Sequence, residues 1–194
     1  MGAMAIWLMA MVPLGAAIVD RVAITVGNKV ITESEIDLRI RLTAFENNEK
    51  PDLSPASRRQ AAQRLIDQKL VEREMDVGRY PRATPEPAKQ LTSSATLKEY
   101  GLTPDDLARD LAWQSELLTF LSLRFRPAVQ VTDQDVEKYF KAQSLKGEIN
   151  DVRADIEEKL TGERADKELD LWLQDQRKRT RIEYLEKDLA EDTK

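Results

Sequence analysis

The run VAITVGNKVITESEID, Val22 to Asp37, constrains the fold more tightly than any other stretch of this 194-residue chain. Val22, Ile24 and Val26 alternate with Ala23 and Thr25, the two-residue period of a half-buried strand. Gly27-Asn28 then supplies a pair able to take the positive φ values of a hairpin turn. With the turn centred there, Val26 faces Lys29 and Ile24 faces Ile31, so one apolar face survives the reversal. Thr32 follows as an N-cap and Glu35 stands three residues on, the spacing of a capping box. The helix it starts carries Ile36, Leu38, Ile40 and Leu42. A two-stranded hairpin of this size is marginal in water, so the rest of the chain must supply a third strand or a covering helix.

Helix signals dominate the remainder of the chain. Ser54-Pro55 places a cap before a proline at the first turn, and Ala62, Leu65, Ile66, Leu70 and Val71 then recur at three- and four-residue spacing, with Met75 extending the stripe. Gly78 and Pro81 end that helix. The same start grammar at Thr84-Pro85 and Thr103-Pro104 predicts helices near 86–99 and 104–126, the second closed by Pro127. Its stripe reads Leu107, Leu111, Leu118, Leu121 and Phe125, with Trp113, Leu117, Phe120 and Leu123 outside a single narrow face. Thr132 caps a short helix with Val136, Tyr139 and Phe140 on its buried side. A last helix over Asn150–Arg179 shows Val152, Ile156 and Leu160, then Leu169, Trp172 and Leu173. Beyond it Arg181 to Leu185 alternates, with Ile182 and Tyr184 on one face, which makes it the candidate third strand. The fold class expected is mainly α, with a small antiparallel sheet joining the two ends of the chain.

Composition removes whole classes of chemistry. Cys and His are both absent, which leaves no disulfide, no thiolate nucleophile and neither of the commonest transition-metal ligands. No Walker or dinucleotide pattern exists among the 7 glycines, so no cofactor is expected. A net charge of −5, with cations interleaved among carboxylates, argues against nucleic acid as a partner. The first nineteen residues carry no charged side chain. Ala3 to Val12 is apolar, Pro13 and Gly15 interrupt the run, and Gly15-Ala16-Ala17 has the small residues of a cleavage site, so residues 1–17 read as a signal peptide. The run is too short for a membrane span, and no stable membrane insertion is expected once it is removed.

Taken in order, VAITVGNKVITESEID, LIDQKLVEREM (Leu65–Met75), VTDQDVEKYF (Val131–Phe140) and the closing helix with RIEYL (Arg181–Leu185) resemble the chaperone module of the SurA-type periplasmic peptidyl-prolyl isomerases. The resemblance covers residues 18–194 as one chaperone domain, with 18–140 as its N-terminal part and 150–194 as the closing helix and strand. In that family the segment like VTDQDVEKYF leads into one or more parvulin domains before the closing helix returns. The interval from Phe140 to Asn150 cannot hold a domain, which needs about 50 residues. Parvulin active sites are usually built around histidines, and this chain has none. The resemblance therefore implies a periplasmic, ATP-independent chaperone for unfolded secreted or outer-membrane proteins, without isomerase activity. Two other roles fit the same sequence, a remnant or partner subunit of such an isomerase and an assembly factor dedicated to one partner. The short link before the closing helix also permits a homodimer formed by exchanging that helix and strand.

Met75, Tyr80, Trp113, Leu117, Phe120, Leu123 and Trp172 are the candidate peptide-binding residues, because large adaptable apolar side chains suit varied clients. The alternative is that the wide apolar arc of 107–125 packs against the closing helix. No catalytic or metal-ligating residue is assigned. Asp133, Asp135 and Glu137 lack the glycine and distal glutamate of a calcium loop and suit a helix start. Arg177, Lys178, Arg179 and Arg181 complement a helix C-terminus. Ser93-Ser94 with Lys89 or Lys98 reads as solvated helix surface rather than a Ser–Lys pair.

Overall fold

The structure, a computed structural model, describes residues 20–86 and 92–190. The segment read as a signal peptide lies outside them. Strands β1 (Val22–Val26) and β2 (Lys29–Thr32) form the hairpin, in the expected register of Val26 opposite Lys29 and Ile24 opposite Ile31. Of the two central turn residues Gly27 alone takes a positive φ, 61°, so glycine occupies the first central position of the turn. Strand β3 (Ile182–Tyr184) pairs antiparallel with β1, Ile24 opposite Tyr184, giving the order β2-β1-β3. The hairpin thus has the third strand it needs, and the two ends of the domain meet in one sheet.

Six α-helices complete the fold among the described residues. These are α1 (Glu33–Glu46), α2 (Pro55–Gly78), α3 (Ser94–Glu99), α4 (Pro104–Arg124), α5 (Asp133–Ala142) and α6 (Ile149–Arg179). The capping grammar is realised at three starts. Thr32 accepts from the Glu35 N–H while Glu35 takes the Thr32 N–H at 2.8 Å, and Thr103–Asp106 and Thr132–Asp135 repeat the arrangement at 2.9 Å each. A single-turn 3₁₀ helix, Arg126–Ala128, carries Pro127 where α4 ends.

The helix expected near 86–99 is shorter than its start signal predicts. Residues 84–86 are not helical, 87–91 fall outside the described residues, and α3 begins only at Ser94 behind the cap Ser93. Two forces oppose the Thr84-Pro85 start. Pro87 disfavours helical geometry at Glu86, and the Glu116 carboxylate takes the Ala83 N–H at 3.0 Å.

Helix α2 is the spine. Its stripe places Ala61, Ala62, Leu65, Ile66 and Leu70 against the sheet and α1, where Ile24, Ile31, Ile36 and Ile66 have no solvent exposure. Each such side chain contributes about 1.5–3 kcal/mol by burial. Val71 and Met75 belong to a second cluster, built with α4 and α6. A third cluster forms where Leu42 of α1 meets Leu97, Leu102, Leu107 and Ala108.

The chain end is tied back by charge as well as by strand pairing. Arg177 near the end of α6 binds Asp67 at 2.7 Å and the Gln63 carbonyl at 2.9 Å on α2. Arg58 at the start of α2 bridges Asp37 of α1 and Glu186 after β3. Leu189 then turns back into the first cluster and is almost fully buried. At about 1.5 Å per residue, α6 is about 46 Å long, so its N-terminal half runs out past the sheet to receive α5.

Candidate functional site

Of the stripe expected on α4, Leu107, Leu121 and Phe125 turn inward, whereas Leu111 and Leu118 do not. Leu107, Asp110, Trp113, Leu117 and Phe120 recur at three- and four-residue spacing and turn toward the core, whereas Leu118 is 68% exposed and Leu111 also lies on the outer face. The face chosen therefore contains a carboxylate. Packing against α6 decides the matter, because Phe120 is completely buried beside Trp172, with ring centres 5.7 Å apart.

Around Phe120 the rings form a connected set. Tyr80 meets it edge-on at 5.1 Å and Phe125 at 5.6 Å, and the Arg124 guanidinium lies 5.8 Å from both the Phe125 and Trp172 rings. Met75 fills the remaining space with no exposure. Gly78 is required here. A β-carbon at that position would lie 2.5 Å from the Tyr80 ring, which folds back over the end of α2.

Beside this cluster the surface opens into two adjoining grooves. One, of about 240 Å³, is walled by Val71 of α2, Trp113 and Leu117 of α4, and Leu169 and Leu173 of α6. The other, of about 310 Å³, lies between α1 and α4 over Leu38, Leu42 and Leu65. Arg39, Gln68 and Trp113 border both, so Trp113 stands at the junction.

Charged side chains also line the groove, among them Glu35, Asp106 and Arg109 in one section and Arg64 and Asp67 in the other, and the most buried of its polar contacts is an ion pair inside the α1–α4 contact. Asp110, 1% exposed, receives the Arg39 guanidinium, which is 16% exposed, and also the Gln114 amide at 2.9 Å. Gln114 reaches on to Glu46 at 2.7 Å. Partial burial, and after it the negative charge of Asp110, push the Glu46 carboxyl above its ordinary value, against the opposing pull of Arg39 and Gln114. None of these groups was legible as a site in the sequence. The one available signal was an aspartate standing among the apolar positions of α4.

The seven candidate residues separate into three groups. Trp113 and Leu117 line the groove. Tyr80 and Trp172 are half-buried in the aromatic cluster next to it, over a floor made by the fully buried Met75 and Phe120. Leu123 is 54% exposed and lies apart from the cluster. The arc of α4 thus packs against α6 and also walls a groove. No family model and no curated protein matches this chain.

The remaining charged motifs have local partners. Arg177 is held on α2, Arg179 binds Asp175 at 2.9 Å and Arg181 binds Glu183 at 2.6 Å, so little of the basic run faces solvent unpaired. Asp133 and Asp135 lie in the first turn of α5 and pair with Arg153 and Arg164 of α6 at 2.6 and 2.7 Å. The Arg164 hydrogen bond, joined by those from Thr132, holds the Asp135 carboxyl well below the usual range. Ser93 is a helix cap, and Lys89 lies outside the described residues. Among the described residues no cluster of acidic side chains is grouped for a metal ion, and no helix is long and apolar enough to cross a membrane.

Proposed function

We propose that this protein is an ATP-independent holdase that binds unfolded secreted or outer-membrane polypeptides in the periplasm. The observation that carries the reading is the groove at Trp113 and Leu117. It is open and apolar, and its two sections each lie at or below the lower end of the range, about 300–1,000 Å³, that enclosed small-molecule pockets occupy. Shallow sections of that size receive one or two side chains of a chain that continues past them. An extended client brings both apolar side chains and polar main chain, and the lining offers Val71, Leu169 and Leu173 for the first and Arg39 and Gln68 for the second.

Holding requires no chemistry. A protein that binds the unfolded client and not the native one lowers the concentration of free, aggregation-prone chains by mass action. The reading assigns no catalytic residue and no cofactor. The same reading includes a homodimer in which two copies trade α6 and β3, elements whose contacts to β1 and Asp67 join distant parts of the sequence.

The test is aggregation of a urea-unfolded outer-membrane protein on dilution. The wild-type chain in several-fold excess suppresses light scattering, and Trp113→Ala with Leu117→Ser weakens the suppression at unchanged helix content. Scattering that is unaffected by excess wild-type protein excludes the reading.

A further inference from the structure

Residues Arg79 to Ala83 leave α2 as a strap outside any helix or strand, and they make every kind of contact a bound client would make. Arg79 ends α2 in the left-handed region, φ 54°, which turns the chain back over the helix. Tyr80 then drops its ring against Phe120 and Met75, in the cluster that continues into the groove through Trp113 and Leu117. Arg82 spreads across two carboxylates, binding Glu116 at 2.7 Å and Asp76, and also donates to the Glu72 carbonyl at 3.2 Å. Ala83 gives its main-chain N–H to Glu116. An aromatic ring, a cation two residues later and a main-chain donor are thus satisfied in a row.

The receiving surface is built for a cationic occupant. Glu116 is 13% exposed, with little water around it, and Arg82 is its salt-bridge partner among the described residues. Asp76 has Lys29 as a second cation at 3.3 Å, whereas Glu116 does not. Whatever replaces the strap must bring a positive charge to Glu116 or leave a half-desolvated carboxylate unpaired.

Resting on the holdase reading, we infer that the Tyr80–Ala83 strap is an internal occupant of an extension of the client groove, beside its Trp113–Leu117 wall. It is displaced by extended client segments that carry an aromatic side chain two residues before an arginine. The strap leaves the groove at Trp113 and Leu117 open, lowers affinity for segments that reach into its own position by the fraction of molecules in which it is closed, and gives an advantage to segments that reproduce its own contacts. Selectivity follows from the chain's own sequence rather than from groove size alone.

The probe is a fluorescein-labelled synthetic peptide with the sequence of residues 79–86, titrated into the full chain. The variant Tyr80→Ser/Arg82→Ser, with its site vacated, binds it at least about tenfold more tightly than wild type, the ratio expected when the strap is closed in about nine molecules of ten or more. The same peptide with glutamate in place of Arg82 loses binding to the variant. Equal affinity of wild type and variant, or equal binding of the glutamate peptide, overturns the inference. A second measurement needs no variant. Saturating peptide accelerates amide hydrogen exchange across residues 80–86 of the wild-type chain, and unchanged exchange overturns the inference equally. If the chain suppresses client aggregation while strap exchange and peptide affinity stay unchanged, the strap inference fails and the holdase reading stands. If no client is protected, the holdase reading fails, and the peptide titration still decides the strap.

Discussion

Replacing Asp110 by alanine isolates the one buried charge in the groove wall. The Asp110 side chain is 1% exposed, and its loss leaves the Arg39 guanidinium, itself 16% exposed, without its carboxylate. Breaking a buried pair from one side costs about 3–5 kcal/mol, because the remaining charge stays desolvated. Arg39 borders the 310 Å³ groove and can turn partly toward water there, so the lower end applies, about 3 kcal/mol. Gln114 keeps its second acceptor, Glu46, and adds little. For a domain of this size about 3 kcal/mol corresponds to a fall in Tm of about 6–12 °C. Removing both charges is a different perturbation. Arg39→Met/Asp110→Leu leaves no unpaired ion, and pairs exchanged for apolar side chains are often neutral or stabilising. Urea unfolding followed by circular dichroism measures both variants, and an unchanged slope with a shifted midpoint shows that stability alone has moved. The reasoning is refuted if Asp110→Ala stays within about 0.5 kcal/mol of wild type, the range of an ordinary surface substitution. It is refuted equally if the double variant is as unstable as the single one.

Two further predictions concern the same surface. Because Glu46 titrates above its ordinary value near 4.5, the folded state binds more protons than the unfolded state in that window, and its contribution to stability falls as pH rises. Glu46→Gln therefore gains on wild type as pH climbs from about 4.5 and holds a constant advantage above the raised value; parallel stability–pH curves contradict this. Gly78→Ala sets a β-carbon 2.5 Å from the Tyr80 ring, and the overpacking cost of about 1–3 kcal/mol outweighs a helix-propensity gain of at most about 1 kcal/mol. The variant is less stable in urea and shows faster hydrogen exchange over Tyr80–Ala83, whereas a stabilised variant contradicts the packing described.

What could be read from the residues was mostly what is local. The hairpin register, the caps at Thr32, Ser54, Thr103 and Thr132, and the alternation that marks β3 all depend on neighbours within a few positions, and the structure has them as expected. The inward face of α4 depends on something else. A helix apolar over so wide an arc fits two stripes, and the apolar template favoured the one without an aspartate. The structure buries Leu107, Leu121 and Phe125 as that stripe predicts but replaces Leu111 and Leu118 with Asp110, Trp113, Leu117 and Phe120, because Arg39, 71 positions away, neutralises Asp110 and Trp172 covers Phe120. Thr84-Pro85 failed as a helix start for the same kind of reason, since Glu116 holds Ala83 from across the fold. The return of Leu189 to the core had no signal either, being one leucine in a polar tail.

In the proposed holdase, unfolded polypeptide enters the groove between α2, α4 and α6 rather than the outer face of α4. Photo-crosslinking reads this directly, with p-benzoylphenylalanine placed singly at Leu117, Leu169, Leu118 and Leu171 of the full chain, in the presence of a urea-diluted outer-membrane protein. Leu117 and Leu169 wall the groove, while Leu118 and Leu171 are 68% and 50% exposed outside it. Client adducts are expected from positions 117 and 169 and few from 118 and 171. Adducts confined to the outer positions, or equal at all four, contradict this reading.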